Sequence, residues 1–113
     1  MDVALDPFPF TGGTGTFEAL AVGVPPISLA GGRFAARCGV AHLAQVGLDR
    51  LVAANEDDYV RLAVSLARDL EGLARLRAQL PSRTRASRLC DAEAYARSVE
   101  DAYRGMWRRH CGA

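Results

Sequence analysis

Lysine is absent from this 113-residue chain, and all 14 of its basic residues are arginine. That excludes the phosphate loop G-x-x-x-x-G-K-[ST], whose lysine reaches the β- and γ-phosphates. Charge of one sign is missing too, since 14 basic and 13 acidic residues leave a formal net charge of +1. So balanced a chain has no global field to recruit nucleic acid or an anionic membrane, and any bound phosphate must be held locally. Cysteine is scarce: Cys38, Cys90 and Cys111 are odd in number, far apart and form no C-x-x-C pair. That pattern speaks for reduced thiols rather than a disulfide framework. Cys38 and His42 stand four apart and His110 abuts Cys111. A closed zinc site needs about four convergent ligands, however, so ordinary thiols and histidines are expected and no metal. No apolar run approaches the ~20 residues that span a bilayer, and the chain does not open like a secretory leader. The expectation is a cytoplasmic protein with neither membrane nor nucleic acid as partner.

What is present is ordinary for a folded protein. Hydrophobic residues make up 50% and charged residues 24% of the chain, enough for a packed core in a single domain. Val3, Ala4 and Leu5 form a short apolar strand, ended by Pro7 and Pro9. After the glycine- and threonine-rich residues 11–16 comes a helical stretch over residues 17–22, stopped by Gly23 and by Pro25 and Pro26. Residues 26–30 read as a second strand. Residues 34–46 read as a helix with Ala36, Val40, Leu43 and Val46 on one face and Gly47 as its cap, and residues 51–53 as a third strand. Asn55 is a fitting N-cap for a helix with acids in its first turn, and Tyr59, Leu62, Ala63, Leu66 and Leu70 form its apolar stripe. Leu73, Leu76 and Leu80 extend the helical pattern to Pro81, where a break and a basic loop over residues 82–87 are expected. A last helix from about Asp91 places Tyr95, Val99, Ala102 and Met106 on one face, with Tyr103 and Trp107 alongside as core aromatics.

Strands alternating with helices imply parallel β/α units, and strands apolar throughout expect cover on both faces. Three of them resemble the second half of a doubly wound sheet. The fold expected is α/β, with a β/α part over residues 1–54 and a helical part over residues 55–113.

The strongest local signal is the strand, loop and helix start over residues 5–20. Glycines permit positive φ and close backbone approach, and N–H groups at a helix N-terminus make a site for a diphosphate. Gly12, Gly13, Thr14, Gly15 and Thr16 are the candidate diphosphate-binding residues, with the threonine hydroxyls as added donors. Glu18, in the first helical turn, could accept hydrogen bonds from a ribose, as an acid does in dinucleotide folds. Spacing alone leaves open a plain glycine-rich connection with Glu18 as a surface acid favoured by the helix dipole.

The run over residues 2–20, continued by Gly23, Val24 and Pro25, resembles the donor-site segment of the O-GlcNAc transferase and SPINDLY-like glycosyltransferase family. Arg37, Gly47, Leu48, the segment 51–53, Tyr59, Val60, the segment 89–91 and the closing residues 103–107 resemble the end of that family's catalytic region, in order. The resemblance implies the C-terminal half of a Rossmann-like lobe of GT-B type, ending in a helical extension. It implies transfer of a sugar from a UDP-sugar, UDP-GlcNAc or similar, to serine or threonine hydroxyls of a protein acceptor. No other cofactor is implied. The turn over residues 12–16 would sit on the donor diphosphate, Glu18 on the ribose, and Arg37 near the sugar or in a structural role. Animal members carry a histidine and two threonines where this chain has Gly13, Thr14 and Gly15, and an aspartate where it has Glu18, which resembles the SPINDLY-like branch. No residue here matches a catalytic base, and His42 and His110 fall in no active-site motif. The first lobe would lie outside these residues, so the chain alone is expected to be inactive and either to meet that lobe or to self-associate. A non-catalytic interaction module from a truncated glycosyltransferase gene is the alternative.

Overall fold

The computed structural model describes residues 1–112. Three short strands, β1 (Ala4–Leu5), β2 (Pro26–Leu29) and β3 (Val52–Ala53), form a parallel sheet in the order β1-β2-β3. Ala4 pairs with Pro26 and Ser28 with Val52. Strands that run parallel need a crossover, and here helices α1 (Thr14–Ala21) and α2 (Cys38–Gln45) supply it. The α/β class expected from the alternation of elements is what the chain adopts. After Asn55 the described residues are mainly helical: α3 (Glu56–Arg68), α4 (Leu70–Arg85) and α5 (Ala92–His110). Short 3₁₀ turns at Phe34–Ala36, Asp49–Leu51 and Arg88–Cys90 join these pieces.

The core follows the apolar periodicity. Leu20 of α1, Leu43 of α2 and Leu76 and Leu80 of α4 pack with Val46, Leu48 and Leu51 in one buried cluster. Ile27, Ala53 and Tyr59 form a second, covered by Leu62, Ala63 and Leu66 of α3. Alternation along β2 sends Ile27 to that second cluster, whereas Ser28 meets the Asp6 carboxylate. Asn55 caps α3 as expected, its side chain accepting from the Asp58 N–H at 2.8 Å.

Several boundaries differ from the sequence reading. The residues 34–46 give a 3₁₀ turn and then α2 rather than one helix. The helical run from residue 56 is broken at Asp69, whose carboxylate accepts the Gly72 N–H at 2.9 Å and so starts α4 anew. This break turns Leu70 out of the stripe, leaving it 73% exposed. Pro81 does not end its helix; it lies inside α4, and residues 82–85, expected as loop, are helical. A proline there removes the N–H that the Arg77 carbonyl would accept. That carbonyl faces Gly23 instead: a Cβ built on Gly23 would stand 2.8 Å from it and 3.5 Å from the Pro81 ring. Arg77 Nε in return donates to the Gly23 carbonyl at 3.2 Å. Gly23, with φ of 82°, therefore serves both as the stop of α1 and as the seat of the proline-containing turn of α4.

The largest departure is α5. Its aromatics, expected in the core, are solvent-facing: Tyr95 is 72%, Tyr103 65% and Trp107 66% exposed. Only Ala94, Val99 and Gly105 of this helix are partly covered. The helix extends away from the rest, which stretches the molecule to 57 × 29 × 18 Å.

Two stability outcomes follow from this packing. Leu20→Ala should cost about 2–5 kcal/mol in denaturant unfolding, whereas Trp107→Ala should stay within about 0.5 kcal/mol. Gly23→Ala should cost at least about 1–3 kcal/mol, because alanine disfavours that φ and its methyl meets the Arg77 carbonyl; urea titration of the three variants against the parent chain checks these outcomes.

Candidate functional site

The parallel strands end on one edge, and the loops leaving β1 and β2 meet there. At the end of β1 stands Asp6, only 4% exposed. One carboxylate oxygen accepts the Gly12 N–H at 2.9 Å and the Thr16 hydroxyl at 2.8 Å; the other accepts the Ser28 hydroxyl at 2.6 Å. Its backbone is engaged as well, the N–H donating to the Ile27 carbonyl at 3.0 Å and the carbonyl accepting the Tyr59 hydroxyl at 2.8 Å. A Cβ on Gly39, in the first turn of α2, would collide with this carboxylate and with Ser28. The acid thus lies between the N-terminal ends of α1 and α2, where helix dipoles favour negative charge.

Thr11 joins the two loops. Its N–H and hydroxyl both donate to the Ala35 carbonyl, at 3.0 and 3.2 Å, and its oxygen accepts the Gly39 N–H at 3.2 Å. His42, on α2, has its pKa lowered by burial, partly offset by attraction to Asp6, and its Nδ1 is buried without a partner. Burial together with the nearby Asp6 charge raises the pKa of Tyr59, and Phe8 packs edge-on to that ring at 5.5 Å between centroids.

Within this frame the five turn residues separate into three roles. Gly12 is needed for close packing, since a Cβ there would stand 2.5 Å from the Thr16 hydroxyl and 2.8 Å from Asp6. Thr16 is buried, and its hydroxyl points inward to Asp6 rather than outward. Gly13, Thr14 and Gly15 form the accessible rim, where a Cβ on either glycine would meet open space. The positive φ expected of the turn glycines is not used; among the described residues it occurs at Gly23, Gly47 and Gly112. Helix α1 begins at Thr14, so the N–H groups of Gly13, Thr14, Gly15 and Thr16 lack backbone acceptors among the described residues. The earlier start also shifts Glu18 out of the first turn. It is exposed and stands four residues after Thr14, on the same side of the helix. Arg37 is exposed and donates to the Gly31 carbonyl at 3.2 Å, bracing the loop after β2.

Asp6, Ser28, Thr11 and Gly39 were not singled out by the sequence. A signal existed for two of them: Ser28 is a hydroxyl inside an apolar strand, and Asp6 an acid at a strand end, and a buried pair of that kind implies a mutual hydrogen bond. A separate depression of about 470 Å³ between α3 and α4, lined by Arg50, Leu66, Leu76 and Arg83, shares no residue with the turn. Among the described residues no three His, Cys, Asp or Glu side chains gather as a metal site would require, and no helix is long and apolar enough to cross a membrane.

Residues 1–99 match the family described as glycosyl transferase family 41. The probable UDP-N-acetylglucosamine--peptide N-acetylglucosaminyltransferase SPINDLY of Hordeum vulgare is 48% identical over 98% of this chain. The UDP-N-acetylglucosamine--peptide N-acetylglucosaminyltransferase of Caenorhabditis elegans is 32% identical over 96%. A solved structure of the K341M mutant of Thermobaculum terrenum O-GlcNAc transferase superposes with a TM-score of 0.91 at 41% identity, covering 99% of this chain. The chain spans 12% of the barley protein, 10% of the nematode one and 22% of the bacterial structure. With the family match and these identities over nearly its whole length, the chain belongs to glycosyl transferase family 41.

Proposed function

We propose that this chain forms one wall of the donor site in a nucleotide-sugar-dependent glycosyltransferase. The observation that carries the reading is the rim of Gly13, Thr14 and Gly15, whose N–H groups stand free at the start of α1, on the carboxyl edge of a parallel sheet. Open α/β sheets bind ligands at that edge, and a helix N-terminus suits a diphosphate. In this reading the backbone N–H groups of residues 13–16 hold the donor diphosphate, with the Thr14 hydroxyl beside them. Gly12 and the Thr16 hydroxyl act from behind through Asp6. Glu18, one turn along the same side of α1, accepts from the ribose, and Arg37 holds the neighbouring loop on the sugar side.

The names of the relatives support UDP-N-acetylglucosamine as donor and a peptide as acceptor; a serine or threonine hydroxyl as the accepting group belongs to the same proposal. Departure of a UDP leaving group builds charge on the diphosphate, which fixed N–H donors stabilise in place of water. A cytoplasmic setting and a GT-B arrangement belong to the same reading.

The rest of the cleft would come from other polypeptide. Leu5, in the edge strand β1, is 61% exposed, and α5 leaves Tyr95, Tyr103, Met106 and Trp107 uncovered. Such surface fits contact with a further lobe of the kind that the much longer relatives have room for. The same exposed surface favours the second reading, an interaction module without turnover.

Glu18→Ala should weaken UDP by about 1.5–3 kcal/mol, the range for a hydrogen bond to a charged group, and leave pyrophosphate unaffected. Gly13→Val should weaken both ligands, because a branched side chain covers the open rim; calorimetric titration of the chain with each ligand separates the two. Unchanged UDP affinity in both variants would reduce the turn to a connection. Incubated alone with UDP-N-acetylglucosamine and a serine-containing peptide, the 113-residue chain should give no glycosylated product by mass spectrometry. Sustained transfer would show that these residues hold a whole active site.

A further inference from the structure

An eight-residue helix such as α1 is too short to be stable by itself, and its first turn is the part most prone to fray. Yet that turn carries the free N–H groups, so something must hold it in place. The groups that do so converge on one carboxylate. Asp6 accepts from Gly12 before the helix and from Thr16 within its first turn, bracketing the rim at residues 13–15. The carboxylate is itself fixed by Ser28 of β2 and by the wall that Gly39 leaves open. The two donors that the turn supplies to Asp6 point inward, and Asp6 is buried, so the acid stands behind the rim and away from solvent. An anion approaching from outside would meet the N–H groups and not the carboxylate.

We propose that Asp6 is a positioning residue for the anion-binding turn, aiming the N–H groups of Gly13, Thr14 and Gly15 without touching the ligand. The proposal rests on the donor-site reading above. Hydrogen bonds to an ionised carboxylate are roughly twice as strong as neutral ones. Charge, and not only shape, is therefore what holds the turn. Asp6→Asn keeps the shape and removes the charge, while Thr16→Val removes one donor at nearly constant volume. Thr16→Ser keeps the hydroxyl and serves as the conservative rescue.

The test uses the full 113-residue chain, with amide hydrogen exchange followed by NMR and calorimetric titration with UDP and with inorganic pyrophosphate. Asp6→Asn and Thr16→Val should each speed exchange by about tenfold at Gly12 and Phe17, the hydrogen-bonded amides on either side of the rim, leaving α3 and α4 at parent rates. Both should weaken UDP and pyrophosphate by one common factor of about tenfold, since the contact at stake is with the diphosphate alone. Thr16→Ser should return both readings to near the parent. Parent-like exchange and affinity in Asp6→Asn and Thr16→Val would overturn the positioning role. Faster exchange with unchanged affinity would overturn it as well, because the tie would then be structural only. If the parent chain binds neither ligand, the donor-site reading itself falls, and the ligand-directed role of Asp6 with it.

Discussion

The buried carboxylate of Asp6 is the interaction on which this architecture turns. Taking a charge out of water costs several kcal/mol unless partners replace the lost hydration. Here the replacements are two hydroxyls, one backbone N–H and the N-terminal ends of two helices. Because the hydrogen-bonding partners belong to β2, to the turn and to α1, satisfying one acid fixes three pieces of chain at once, with Gly39 of α2 packed against it. The backbone of the same residue adds β2 again and α3, through Ile27 and Tyr59. Strands of two and four residues contribute few ladder bonds, so this polar centre and the leucine cluster beside it share the task of holding the sheet edge.

That arrangement explains why the turn looks as it does. Gly12 is glycine because Thr16 and Asp6 occupy the space of a side chain, and Thr16 carries a hydroxyl because Asp6 needs a donor. Gly13 and Gly15, by contrast, face open space and are free of internal demands. Within five residues, two positions that serve the fold, Gly12 and Thr16, flank the open positions 13–15. The rest of the molecule shows a similar division, with a packed region around β2, α3 and α4 and an outlying helix, α5, whose aromatic face nothing among the described residues covers.

Much of the fold was legible in the sequence because hydrophobic period and cap chemistry are local. The three strands, the stop at Gly23, the cap at Asn55 and the stripe of Tyr59, Leu62, Ala63 and Leu66 follow from residue type and spacing alone. Pro81 does not end its helix for a physical reason: its ring and the freed Arg77 carbonyl need room, and the residue that leaves this room, Gly23, lies far away in sequence. Asp69 broke a continuous helical pattern because a cap can restart a helix wherever a carboxylate finds an N–H three residues on. The aromatics of α5 could not be assigned, since periodicity reports that a face is apolar and not what covers it.

The sequence by itself determined the α/β class, the resemblance to the O-GlcNAc transferase and SPINDLY-like family and the glycine- and threonine-rich make-up of the turn, all carried by short runs whose meaning does not depend on distant residues. Only the tertiary structure decided which side of that turn is available. It sent the Thr16 hydroxyl inward and left the N–H groups of residues 13–15 at the rim. It also joined Asp6 to Ser28 across 22 positions of chain. A hydroxyl can donate in any direction, and the burial of one carboxylate chose the direction here.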